Sequence, residues 1–141
     1  MKRIGRITNE RGETVTLLEA MADCGNIQKG YNKARKCKRY RKDVLQFTKE
    51  KEENLDKIRN EILGLTYEPS EYRYFKVYEP KERQIMALPF YDRVVQHAVN
   101  NVLEPIFNKR FIFHSYACRK GKGMHAASDA LQKRLYEWQK F

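Results

Sequence analysis

The chain has 141 residues, with 29 Lys and Arg against 18 Asp and Glu, giving a formal net charge of +11. This length suits one domain, which on folding buries about 68–70% of the surface of the extended chain, and excludes two independent cores. With 41% hydrophobic and 33% charged residues, and no apolar run of about 18 residues, the composition excludes a disordered tail and a membrane-spanning protein. The surplus of positive charge points to a polyanion partner, nucleic acid first.

The first sixteen residues carry Gly5, Gly12 and mixed charge without sustained periodicity, so a frayed start with little chemistry is expected. Residues 17–38 hold a short apolar stretch from Leu17 to Ala22, then Gly25 and Gly30, then a basic run that begins at Lys29. Two short helices broken at the glycines are predicted, with a cationic outer face. The basic run interleaves Tyr31 and Tyr40 and meets no acid until Asp43. A solvated helix face gives such a pattern, but so many uncompensated cations favour contact with a nucleic-acid backbone, and Arg35, Lys38, Arg39 and Arg41 are the candidates. Three cysteines, Cys24, Cys37 and Cys118, show no paired short spacing, and no apolar stretch follows the first residues, so a cytoplasmic chain with reduced thiols is expected.

Val44, Phe47, Leu55, Ile58, Ile62 and Leu65 recur at helical steps among Lys and Glu, which predicts one amphipathic helix from about 41 to 64, closed by Gly64. From Tyr72 to Tyr78 the period changes to two, Glu79-Pro80-Lys81-Glu82 supplies a turn, and Arg83 to Leu88 returns, so residues 72–88 read as a β-hairpin. Beyond Pro89, apolar pairs recur every four residues from Val94/Val95 to Ile106/Phe107, a helix that Pro105 is expected to kink or end. His97 sits among apolar neighbours there and reads as a core or interface histidine. An aromatic stretch, the segment Ser115 to His125, and a last helix spaced by Met124, Ala127, Leu131, Leu135 and Trp138 complete the chain. The fold class is α+β, mostly helical with one β-hairpin, and no repeat or linker is visible.

Lys81 and Arg83 flank the hairpin turn with Lys76 on the arm, a cluster that suits a triphosphate or a nucleic-acid backbone, although ordinary solvent-exposed turns carry such residues too. Gly121 and Gly123 before a helix would let a backbone approach phosphate, yet no P-loop spacing is present. His114, Cys118 and His125 could contribute to a zinc site only with a fourth ligand from far away, and no metal site is expected. Two-metal phosphoryl transfer needs carboxylates held together, and the adjacent Glu52 and Glu53 point about 100° apart on a helix.

Four blocks carry a resemblance. They are Phe75 to Ile85, Leu88 to Ala98 with Asp92-Arg93-Val94-Val95-Gln96 inside it, Leu103-Glu104-Pro105-Ile106-Phe107, and Ser115 to Ala127 with Ser115-Tyr116-Ala117-Cys118-Arg119. In this order, over about residues 30–135, the chain resembles bacterial retroelement reverse transcriptases. The diversity-generating type is nearest, and group II intron and retron enzymes are its cousins. The resemblance implies the N-terminal and fingers region of the polymerase right hand, with residues 1–40 as a basic extension and 41–141 as the fingers portion without the palm. It further implies that Lys81 and Arg83, with Lys76 as a third, hold the incoming dNTP. Arg119, Lys120 and Lys122 would touch the template. The parent would be an RNA-directed DNA polymerase using Mg²⁺ on palm aspartates absent from this sequence, so the chain alone is expected not to polymerise. Its implied partners are template RNA, an RNA–DNA duplex and dNTP, with no membrane, and the isolated fragment is expected to expose apolar surface that favours self-association. A non-catalytic RNA-binding module is the alternative.

Overall fold

The computed structural model describes residues 6–8 and 12–139. Among these it contains β1 (Arg6–Thr8), β2 (Thr14–Thr16), α1 (Leu17–Met21), α2 (Cys24–Ala34), α3 (Lys42–Lys49), α4 (Lys51–Gly64), β3 (Arg73–Val77), β4 (Arg83–Ala87), α5 (Phe90–Arg110) and α6 (Met124–Trp138). The fold is α+β, and its strands form two separate antiparallel ribbons, β1–β2 and β3–β4. The chain divides into two compact units, residues 1–103 and 104–141, and the change falls on α5 just before Pro105.

In the first unit the expected frayed start is corrected in part, because Ile7 pairs with Val15 in the β1–β2 ribbon; residues 1–5 and 9–11 lie outside the described residues. The Thr16 hydroxyl accepts from the Glu19 N–H at 3.2 Å and the Glu19 carboxylate accepts from the Thr16 N–H at 2.7 Å. This reciprocal cap starts α1 and holds the Glu19 carboxyl below its ordinary range, the Thr16 backbone N–H being the main cause.

The predicted break at the glycines does not occur, since α2 runs through both. Asp23 caps it by accepting from the Asn26 N–H at 3.0 Å. Gly30 is buried where α2 meets α5: a Cβ there would lie 3.0 Å from the Val94 carbonyl oxygen and 3.0 Å from the Ala98 nitrogen. The missing side chain lets the two backbones touch. Asn26 fastens the same contact, donating to the carbonyls of Met21 at 3.0 Å and Ala98 at 2.9 Å.

The single helix expected over 41–64 is two helices, α3 and α4, broken at Glu50. No apolar residue stands between Phe47 and Leu55, so packing does not hold that stretch straight. The Asn54 amide donates to the Phe47 carbonyl at 3.2 Å and satisfies one group that the break exposes. Leu65, not glycine, takes the left-handed position that closes α4, at φ 54°.

The core of this unit joins Ile27, Tyr31 and Ala34 of α2, Val44 and Phe47 of α3, Leu55, Ile58 and Ile62 of α4, and Phe90, Val94, Val95 and Ala98 of α5. Tyr31, Phe47 and Phe90 pack ring against ring with centroids 5.2 to 6.1 Å apart. Asp92, fully buried in the first turn of α5, accepts from the Tyr67 hydroxyl at 2.6 Å and the Ser70 N–H at 3.2 Å. It thereby ties the segment after α4, which leads into β3, to the start of α5. Burial and this hydrogen bond push the Tyr67 hydroxyl far above its ordinary pKa.

The predicted hairpin at 72–88 is the β3–β4 ribbon, with Tyr74 opposite Met86 and Lys76 opposite Gln84. Pro105 does not end α5, which continues through it to Arg110. In the second unit the loop 111–123 leads to α6, none of whose described residues is buried.

Candidate nucleic-acid interface

The basic segment after α2 is built on a buried aromatic. Tyr31, which sequence places among the interleaved surface rings, is a core residue, its hydroxyl sharing a 2.8 Å hydrogen bond with the Thr48 hydroxyl. Arg35 belongs to the same assembly, its guanidinium 4.8 Å from the Tyr31 ring centre and donating to the Tyr31 hydroxyl at 3.2 Å. Beyond it the chain turns tightly, with Cys37 in the left-handed region at φ 60° and the Lys38 N–H bonded to the Arg35 carbonyl at 3.0 Å. This turn carries Lys38, Arg39 and Arg41. Arg39, Tyr40 and Arg41 are exposed and Lys38 is half-buried, and among the described residues none of the three cations makes an ion pair or a side-chain hydrogen bond.

The β3–β4 ribbon places the hairpin cations differently from one another. Pairing puts Arg83 opposite Val77, on the side of Phe75 and Ile85. Lys76 lies on the other side, with Tyr74, Gln84 and Met86, and its ammonium is paired with Glu82 at 2.5 Å. Lys81 stands exposed in the turn. Among the described residues Lys81 and Arg83 make no ion pair or side-chain hydrogen bond, while Lys76 is paired with Glu82.

In the second unit, Arg119 organises the loop. Its guanidinium donates to the Asn108 side chain at 3.2 Å and to the carbonyls of Asn108, Ile112 and Ser115 at 3.1 to 3.3 Å, beside the Phe111 ring. Lys122 donates to the Phe113 carbonyl, its ammonium 4.0 Å from the Phe113 ring centre and 4.9 Å from that of Tyr116. Of the three cations assigned to template contact, only Lys120 is exposed and has no partner among the described residues. Both nitrogens of His114 are engaged, one with the Tyr116 hydroxyl at 3.0 Å and one with Arg134 at 2.9 Å. Among the described residues no group of three or more His, Cys, Asp and Glu is placed to hold a metal ion.

Two features escape sequence reasoning. Asp92 reads as a helix-start residue, and its Tyr67 partner comes from a segment with no periodic signal. His97, read as a core or interface histidine, is only half-buried and makes no side-chain hydrogen bond among the described residues. Burial first, then the charges of Lys33 and Lys38, hold its pKa below the ordinary 6.5, so it is neutral at pH 7.

No protein-family model matches the chain. A curated relative, the nuclear intron maturase 2, mitochondrial, of Arabidopsis thaliana, is 29% identical over 104 residues, which cover 61% of this chain and 14% of the maturase. The chain is thus similar to part of an intron maturase and spans about one-seventh of that protein's length. No described helix is long and apolar enough to cross a membrane.

Proposed function

We propose that this chain is a retroelement-related module that binds RNA through its backbone phosphates, and that it is the fingers portion of a reverse-transcriptase-like parent. The observation that carries the reading is the turn holding Lys38, Arg39 and Arg41, three cations close in sequence that make no ion pair among the described residues. Arginine forks match phosphate geometry, and each cation docked on a phosphate releases condensed counterions. Partial similarity to an intron maturase agrees with an RNA partner.

A second assignment within the same reading concerns the hairpin. Lys81 and Arg83, exposed about the hairpin turn and without an ion pair among the described residues, suit the triphosphate of a dNTP in the parent, where they would stabilise charge on the transferring phosphoryl group. The Mg²⁺ of such a parent would be held by residues outside this chain, whose own part is to bind and orient.

The test is fluorescence anisotropy of a labelled single-stranded RNA of about 20 nucleotides, titrated with the chain between about 50 and 300 mM salt. The double variant Arg39→Gln/Arg41→Gln should lower the log–log salt slope by about 1.4, at about 0.7 per lost contact to a single strand. An affinity independent of salt, or a slope unchanged in that variant, would overturn the reading. Lys81→Ala/Arg83→Ala should leave this affinity nearly unchanged and abolish nucleotide use by the parent; loss of RNA affinity instead would give the hairpin to RNA.

A further inference from the structure

Helix α5 has two unlike sides. Val94, Val95 and Ala98 are buried in the core. Arg93, Gln96, His97 and Asn100, at spacings of three, four and seven, share the opposite side. Lys38, from the turn after α2, joins these four residues to line one open cleft of about 550 Å³.

Among the described residues every lining side chain can donate a hydrogen bond, and none is a carboxylate. Among the described residues Lys38 and Arg93 have no ion pair, and Lys38, Arg93, Gln96 and His97 make no side-chain hydrogen bond. A third cation stands nearby: Lys33 donates to the Asn101 side chain at 2.5 Å, and Asn101 in turn donates to Asn26 at 3.0 Å. Helix α2, which leads into the turn of Lys38, is held to α5 by the close approach at Gly30 and the Asn26 bond to the Ala98 carbonyl. Half-buried cations gathered without an acid cost free energy unless an anion joins them. A guanidinium together with an ammonium fits the oxygens of a phosphate, and the Gln96 amide, which both donates and accepts, fits the hydroxyl and base edges next to it.

We propose that the cleft of Lys38, Arg93, Gln96, His97 and Asn100 is a phosphodiester-binding site for RNA, seating one backbone phosphate between Arg93 and Lys38. This rests on the RNA-binding reading above and adds a defined docking point to it. The neutral imidazole of His97 takes a proton more readily once a phosphate sits beside it, so it reports occupancy.

The anisotropy titration is repeated with Lys38→Gln/Arg93→Gln, with the charge-matched control Lys49→Gln/Arg59→Gln on exposed positions of α3 and α4, and with Arg93→Lys. The cleft variant should lose about 1.4 from the salt slope, the control should keep the wild-type slope, and Arg93→Lys should keep most of it. In parallel, the His97 ring signals, assigned by their loss in His97→Gln, are followed by NMR while RNA, dNTP or poly-glutamate is added. Movement with RNA, together with a His97 pKa raised by the RNA, supports the site. Wild-type binding with a normal slope that the cleft variant shares equally with the control overturns the cleft alone, whereas failure of the wild type to bind RNA overturns the broader reading. A His97 response to dNTP but not RNA assigns the cleft to a nucleotide, and a response to poly-glutamate but not RNA assigns it to an acidic peptide; either overturns the proposal.

Discussion

At Gly30 two opposed effects can be weighed. In a helix interior Gly→Ala ordinarily gains about 0.5–1 kcal/mol, because alanine has less backbone freedom to lose. Here the added methyl would sit 3.0 Å from two backbone atoms of α5, the Val94 carbonyl oxygen and the Ala98 nitrogen, which cannot rotate away as a side chain can. Overpacking of this kind costs about 1–3 kcal/mol, so Gly30→Ala should destabilise the chain by about 1–2 kcal/mol. Urea unfolding should show a lower midpoint at unchanged slope, and a stabilised variant would mean the helices are less closely apposed. His97 gives a pH signature of its own. Its folded pKa lies below the usual 6.5, so as pH falls through 6.5 the unfolded chain takes up the proton first and folding loses stability. That loss is complete once pH is below the folded value, and the contribution is fully present above 6.5. His97→Gln should remove this part of the acid dependence, seen as a flatter plot of melting temperature against pH from about 6.5 downward.

Among the elements, the loop 111–123 depends most on one side chain. Arg119 alone reaches four acceptors, on Asn108, Ile112 and Ser115. Arg119→Ala leaves those acceptors to water, and the loop should open locally, with amide exchange of residues 111–119 faster by about tenfold or more. Arg119→Lys, a single point donor, should rescue little of it. Unchanged exchange would show that the loop holds without the guanidinium. This arginine also marks where sequence reading stopped. The strand alternation of Tyr72 to Tyr78 and the spacing of α5 and α6 are local signals, and those elements were legible. The break at Glu50 was not, because Val44, Phe47, Leu55 and Ile58 keep helical phase across it. Gly25 and Gly30 suggested a break for the converse reason: glycine signals backbone freedom, while at Gly30 its value is the absent side chain. Cation clusters were visible as charge, but the pairing of Lys76 with Glu82 and the use of Arg119 inside its own loop are matters of geometry. The cleft of α5 was hidden for the same reason, since one helix side and a turn far upstream supply it.

Over the whole molecule, burial is unevenly shared, and stability should follow it. The residues of the core cluster all lie between Ala22 and Ala98. In α6, by contrast, Leu131 is 61% exposed, Leu135 56% and Trp138 82%, and no described residue is buried. A helix of 15 residues without a buried side is marginal in water, because tertiary packing supplies most helical stability and nucleation is costly. Native-state hydrogen exchange of the isolated chain should therefore separate into two classes. Amides of α2 and of Phe90–Ala98 should be protected by about 10⁴-fold or more, in line with a global stability of several kcal/mol. Those of α6 should be protected by less than about 10²-fold, opening locally without unfolding the core. RNA docked on the α5 cleft should slow exchange around His97 and raise the protection of α2 with it, since a ligand that binds only the folded state stabilises what holds its site. Equal protection of α6 and α2 in the free chain would contradict this division, because α6 has no buried side chain among its described residues to supply it.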